Sequence, residues 1–277
     1  MRKISKILTM VLLALLFVGN AWATSVFTWN LDSIGLKDVF GAEKLTLDQI
    51  TFNNGAGDIA PATILQNVNQ DTGFVYDGAT FSEFGLLGIV SLDGQAVILQ
   101  DKVSSELRYM YFEFSGLTGN VYDVSDTGYS IAFDPSAGSV ELKYTDKSDL
   151  SNSLGTLATY SIVEAGSTDF SVTAGFGGGS GGFGFDLHMT SALPGFWSFD
   201  GKDAQTYWLD GGYTILAESL GFGSTIVGTE WIQDSTVRTI FVKNDGSLLH
   251  TVPEPGSLLL LGAGLLGLGA VARRRKN

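Results

Sequence analysis

The chain has 277 residues, and its 16 Lys+Arg against 29 Asp+Glu give a formal net charge of −13. The acidic balance excludes a nucleic-acid-binding protein, because such proteins need a basic surface to neutralise phosphates. No residue is Cys, so disulfide bonds, thiol catalysis and cysteine-ligated zinc are excluded as well. Hydrophobic residues make up 44% of the chain, which is too many for a disordered protein.

Residues 1–23 predict a secretory signal peptide. A basic start and an apolar run over residues 7–18 are followed by Ala21 and Ala23, which have the spacing of a cleavage site. We expect signal peptidase to cut between Ala23 and Thr24. An uncleaved anchor helix is the alternative, although the run is shorter than the ~20 residues that span a bilayer.

Residues 24–251 form the body, which we predict to be one domain. Most of the body alternates apolar and polar residues, as half-buried β-strands do. In chain order the clearest strands cover residues 45–52, 107–114, 129–133, 140–144 and 183–189, and a last strand with a short tether covers residues 244–251. Turn signals occur at Asn54-Gly55, Asp77-Gly78, Asp93-Gly94, Asp200-Gly201 and Asp245-Gly246. The sequence therefore predicts an all-β fold, an antiparallel and jelly-roll-like β-sandwich.

The body offers few candidates for binding or catalysis. Trp197 and Trp208 lie in the densest aromatic cluster and are candidate contacts for a glycan, with packing in the core as the alternative. Carboxylates on predicted strands are candidates for glycoside hydrolysis, but nothing singles out a pair. Those carboxylates are Glu113, Glu141, Glu218 and Glu230.

Metal binding has weak support in the sequence. The oxygen-rich loops at residues 67–73 and 146–151 are candidate calcium sites, since calcium prefers oxygen ligands. The two histidines, His188 and His250, are too few for a histidine-based metal site, and His250 is interpreted as linker. We expect no other cofactor and no enzymatic activity.

Residues 252–277 combine a short motif, an apolar segment and a basic end. Val252-Pro253-Glu254-Pro255 comes first, residues 256–272 carry no charge, and four cations close the segment. The cations are Arg273, Arg274, Arg275 and Lys276. The 17 uncharged residues reach the lower length limit for a transmembrane helix. The cations should stay in the cytoplasm, which leaves the body of the precursor in the periplasm.

This arrangement resembles the PEP-CTERM sorting signal of Gram-negative bacteria, in which Pro-Glu-Pro, an apolar helix and an arginine cluster follow one another. The resemblance implies that an exosortase cuts the chain near Pro253-Glu254-Pro255. It also implies that the body moves from the inner membrane to the cell surface or the extracellular matrix. A permanent single-span anchor is the alternative.

The body is similar, more loosely, to flocculation-associated PEP-CTERM proteins. The similarity rests on scattered aromatic and glycine positions, including Trp29, Leu31, Asp32, Gly35, Tyr109, Tyr111, Phe112, Phe114 and Gly116. It implies a role in aggregation or biofilm cohesion, with extracellular polysaccharide as partner, and it supplies no catalytic residue. A lectin-like carbohydrate-binding module and a secreted glycoside hydrolase are the alternatives.

Overall fold

The computed structural model describes residues 27–53, 59–135, 137–165, 168–172, 179–183 and 185–252. Over these residues the strands are β1 (Phe27–Asn30), β2 (Leu36–Asp38), β3 (Lys44–Leu47), β4 (Gln49–Asn53), β5 (Ala62–Asn67), β6 (Thr80–Leu92), β7 (Gln95–Ala96), β8 (Leu99–Asp101), β9 (Leu107–Ser125), β10 (Gly128–Phe133), β11 (Ser139–Thr145), β12 (Gly155–Ala165), β13 (Thr168–Val172), β14 (Gly179–Phe183), β15 (Phe185–Ala192), β16 (Trp197–Phe199), β17 (Lys202–Asp203), β18 (Leu216–Trp231) and β19 (Val237–Thr251). Two short helical segments complete the set, a 3-10 helix at Leu31–Ile34 and a π-helical segment at Ala204–Leu209.

Four long strands, β6, β9, β18 and β19, connect two halves of the main sheet, because each pairs with different neighbours at its two ends. In the half that holds the C-terminal end of β19, here called the tail half, the order is β6-β9-β11-β12-β15-β18-β19-β4 and back to β6. In the other half, here called the far half, the order is β6-β9-β10-β13-β14-β18-β19-β5 and back to β6. All these pairings are antiparallel.

The antiparallel all-β prediction is confirmed, but the jelly-roll-like sandwich is corrected, because the main sheet closes on itself into an eight-stranded barrel. Register shifts occur between Glu83 and Gly85 in β6 and between Ser219 and Gly221 in β18. Bulges of this kind increase the bend and twist of a strand, which lets a sheet close. Inward and outward residues alternate equally in sandwiches and barrels, so the pattern alone does not distinguish them.

A small sheet with the order β17-β16-β1-β3 covers the tail end of the barrel. Phe27 of β1 and Trp197 of β16 place their rings 5.1 and 5.0 Å from the ring of His250, near the end of β19. The aromatic residues of this cap are each at most 1% exposed, and they are Phe27, Trp29, Phe196, Trp197 and Phe199. The cap therefore closes that end with a packed aromatic layer.

The predicted signal peptide and the apolar segment at residues 256–272 lie outside the described residues. Within the described ranges, no helix has the length and apolar character needed to cross a bilayer.

Candidate functional site

Strand β19 presents three buried polar side chains, Arg238, Asn244 and His250. They are spaced six residues apart along the strand, a separation of about 20 Å. They therefore mark three levels of the barrel, one at the far end, one in the middle and one at the tail end. The intervening Val242 and Leu248 are also buried, so the strand presents one continuous inner face.

At the far level, Arg238 lies among polar groups rather than in an open channel. Its Nη2 donates a hydrogen bond of 2.6 Å to Oε1 of Gln66. Burial lowers the pKa of Arg238, and the neighbouring Tyr129 hydroxyl acts in the opposite direction. Arg238 and Gln66 are 6% and 1% exposed, so this level is closed to solvent.

At the middle level, Glu83 lies inside the barrel with Asn244 and Ser224. Asn244 Nδ2 donates to Glu83 Oε1 over 3.2 Å, and Ser224 Oγ donates to Asn244 Oδ1. Burial raises the pKa of Glu83 to about 7, although the Asn244 hydrogen bond acts in the opposite direction. The apolar cavity beside Glu83 leaves about 20 Å³ for the centre of a water molecule, which is room for about one water. This level is too small for an organic ligand.

At the tail level, His250 is enclosed by aromatic rings. Its Nε2 lies 3.1 Å from the Tyr160 hydroxyl, and the rings of Phe27 and Trp197 pack beside it. Burial lowers the pKa of His250 to about 3, so the imidazole is neutral. His250 is 3% exposed and belongs to β19, which corrects its interpretation as linker.

The two tryptophans predicted as glycan contacts are in the interior. Trp197 is 1% exposed and stacks on Phe27, and Trp208 is 7% exposed. Neither can stack on a sugar ring in this conformation, because core packing occupies both. The exposed aromatics nearby are Tyr207 and Tyr213, whose rings lie 6.3 Å apart with planes 8° from parallel.

The structure brings two of the four candidate carboxylates together. Glu113 and Glu141 face each other across β9 and β11, and both accept from Lys143 Nζ at 2.7 Å. Partial burial pulls the pKa of Lys143 down, but the two carboxylates outweigh it, so the pKa is raised. Both carboxylates therefore belong to one ion-pair cluster around Lys143. Glu218 and Glu230 lie at opposite ends of β18.

The candidate calcium loops use their oxygen atoms to hold their own turns. Asn69 Oδ1 accepts from the backbone N–H groups of Asp71 and Thr72, at 2.9 and 3.1 Å. Asp149 Oδ1 accepts from the backbone and hydroxyl of Ser151. Within the described ranges no cluster of three His, Asp or Glu side chains could hold a metal ion.

The barrel ends where the predicted sorting signal begins. Thr251, the last residue of β19, pairs with Leu216, and Val252 is 6% exposed against the core. Residues 253–277 lie outside the described residues, but Pro253 follows Val252 directly in the chain. The tail therefore has no spacer between the folded barrel and Pro253-Glu254-Pro255.

A family model described as the PEP-CTERM protein-sorting motif matches residues 251–276. The chain carries a PEP-CTERM sorting motif. The motif marks the protein for export, with a membrane-anchored precursor that an exosortase processes. No curated protein and no solved structure matches the chain. The comparisons thus describe the tail and not the barrel.

Sequence reasoning missed Glu83 and the exposed tyrosines. Glu83 shares the inward phase of β6 with Phe81 and Leu87, and all three are buried. The sequence signal for a buried Glu83 is a carboxylate at a position of β6 that the alternation otherwise fills with apolar residues. Tyr207 and Tyr213 had no such signal, because exposed and buried aromatics look the same within one dense cluster.

Proposed function

We propose that the mature protein acts at the cell surface or in the extracellular matrix, where it promotes cell aggregation or biofilm cohesion together with exopolysaccharide. The observation that carries the proposal is the position of the sorting motif, directly after the last strand of a closed barrel. A cut near Pro253 leaves that strand and its pairing intact. Processing would therefore release a complete folded domain.

We further propose that the barrel works by binding and not by catalysis. Glu83, the carboxylate with the raised pKa, is 3% exposed and has room for about one water beside it. A hydrolase needs its acid within reach of a sugar bond, and this one is enclosed. Glu113 and Glu141, which are partly exposed, both form ion pairs with Lys143.

The charge of the body suits a role in a hydrated matrix. A formal charge of −19 over residues 24–251 keeps separate copies soluble through mutual repulsion. Divalent cations could bridge such surfaces to one another or to acidic polymers, and calcium is proposed in this bridging role.

Gene deletion in the native host tests this function. We expect the deletion strain to settle more slowly from suspension and to retain less matrix, with recovery when the intact gene is restored. A matched strain carries Ser257→Ala, a conservative change just beyond the Pro-Glu-Pro motif, and should behave as wild type. Unchanged settling and matrix retention in the deletion strain would rule the function out.

A further inference from the structure

The far half of the barrel carries an open recess on its outer surface, where β5, β6, β9 and β19 meet the turn after β10. Its volume is about 450 Å³, within the roughly 300–1,000 Å³ that is usual for small-molecule sites. We call it the far-end recess, and six of its lining residues are Leu65, Asn67, Thr80, Ser82, Thr118 and Asp134. It is more than twenty times larger than the space beside Glu83.

Close backbone packing shapes the floor of the far-end recess. Phe81 lies beneath it, 4% exposed, and packs edge-to-face on Phe133 with ring centres 5.3 Å apart. Gly119 borders the floor, where an added Cβ would lie 2.2 Å from the carbonyl oxygen of Ala132 and 2.6 Å from the Phe81 ring. The floor is therefore built from the rigid barrel rather than from a loop.

Hydrogen bonds hold the polar walls in place. Asn67 Nδ2 donates to Thr80 Oγ1 over 2.6 Å on one side. On the other side, Asp134 accepts from Thr118 Oγ1 over 2.9 Å and from Asn120 Nδ2 over 3.3 Å. An amide, a hydroxyl and a carboxylate can each form further hydrogen bonds beyond these. The recess thus presents donors and acceptors that are already oriented.

The lining selects against anions and suits a neutral polyol. No lysine or arginine is among the lining residues, and Asp134 together with the acidic body repels anionic groups. Leu65 and Val237, 38% and 39% exposed, provide apolar patches beside the polar groups. Alternating hydroxyl groups and C–H faces, which such a lining matches, are the chemistry of a pyranose.

We propose that the far-end recess binds sugar units of an uncharged polysaccharide. The recess is open rather than enclosed, so it would accept a stretch within a long chain as readily as a chain end. It lies on the half of the barrel away from Val252, so the membrane tail leaves it accessible before and after processing. The inference rests on the proposed function, because it names where the matrix polymer would be held.

Affinity electrophoresis of the processed protein tests the inference. The gels contain hydroxyethyl cellulose or galactomannan as neutral probes, alginate as an anionic probe, or no polymer. We expect retardation by at least one neutral probe and none by alginate without divalent cations. No retardation by either neutral polymer, or retardation by alginate alone, would overturn the proposal.

Variants locate the site. Asn67→Ala and Asp134→Ala should each weaken binding about tenfold, the value of one lost hydrogen bond of about 1.4 kcal/mol. Ser82→Trp should block the recess and abolish retardation. Asp126→Ala is the matched control, since Asp126 is an exposed aspartate in the same half of the barrel, and it should bind as wild type.

Thermal unfolding of each variant separates loss of the site from loss of the fold. If the recess variants fold and bind as wild type while Tyr207→Ala abolishes retardation, the exposed tyrosines are the site and the recess is not. If the recess variants lose binding but cells that carry them settle normally, the proposed function is contradicted and the recess still stands as a sugar-binding site. If the deletion strain settles abnormally but the pure protein binds neither neutral polymer, sugar binding at the recess is contradicted and the proposed function still stands.

Discussion

The two halves of the barrel differ in how their surfaces meet solvent. The tail end is closed by a sheet of buried aromatic rings around His250, and it passes directly into the sorting motif. The far end carries an open, polar recess on the same long strands. The tail end is therefore closed by side-chain packing, and the far half carries the recess that we propose as the binding surface. The sorting motif and the proposed binding surface thus lie at opposite halves of the barrel.

The largest expected effect comes from opening the closed end. Trp197→Ala should lower the free energy of unfolding by about 3–5 kcal/mol, because it removes a fully buried ring from the aromatic cap. Urea unfolding of the processed protein measures this loss. Tyr207→Ala, a half-exposed aromatic next to the same cluster, is the control and should cost far less. Equal losses for the two variants would show that the cap does not close the end.

The second effect concerns the buried carboxyl in the middle of the barrel. The pKa of Glu83 rises from 4.5 in the unfolded chain to about 7 in the folded chain. The folded state therefore binds more protons between these values, and stability falls as pH rises through that window. Glu83→Gln should leave stability unchanged at pH 4 and raise it by roughly 3 kcal/mol at pH 8.

Chemical unfolding of both proteins at pH 4 and pH 8 gives the comparison for Glu83. Glu106→Gln, which changes an exposed carboxylate, serves as control. Its change in stability relative to wild type should be the same at pH 4 and at pH 8. A Glu83→Gln protein with the wild-type pH dependence would mean that Glu83 is not buried as described.

The third effect has the opposite sign and belongs to the tail end. The pKa of His250 falls from 6.5 to about 3 on folding, so the unfolded chain binds more protons in that window and stability falls as pH falls. In wild type this slope and that of Glu83 oppose each other between pH 4.5 and 6.5. In the Glu83→Gln background, stability should drop by roughly 2 kcal/mol from pH 6.5 to pH 5.

Adding His250→Gln to that background should remove most of the drop, and His188→Gln, a change to the other histidine, should not. A drop that survives His250→Gln would place the acid-sensitive group elsewhere in the molecule.

The smallest effect lies on the outer wall between the two ends. Lys143→Met removes the two contacts to Glu113 and Glu141, and it should change stability by less than about 1 kcal/mol. The change should shrink further in 1 M salt, because salt screens the two partly exposed carboxylates. Unfolding at low and high salt measures both. A loss as large as that of Trp197→Ala would mean that the wall, and not the aromatic cap, limits stability.

The sequence predicted local structure well where one residue pair determines the backbone. Asp93-Gly94 and Asp200-Gly201 were predicted as turns, and all four residues have positive φ angles between 49° and 75°. Asp245-Gly246 carries the same signal but lies within β19, paired with Gly223 and Phe222. Long-range pairing with β18 overrides the local preference there.

Closure and burial could not be read from the sequence, for a physical reason. Whether β15 pairs with β18 depends on contacts between distant parts of the chain. The alternation of apolar and polar residues along a strand carries no information about such contacts. The same limit made Trp197 a candidate glycan contact, since its environment is set by β1 and His250. The far-end recess likewise collects residues from four strands and has no motif of its own.

The mass of the processed protein tests most directly whether the chain is cut at the sorting motif and the barrel is released without its tail. Intact-mass and C-terminal peptide analysis of protein recovered from the cell surface or medium should give a C-terminus near Pro253-Glu254-Pro255, with residues 256–277 missing. A variant with all three motif residues changed to Ala should remain in the membrane with its tail attached. Released wild-type protein that still ends at Asn277, or release of the variant with the same cut, would contradict the account.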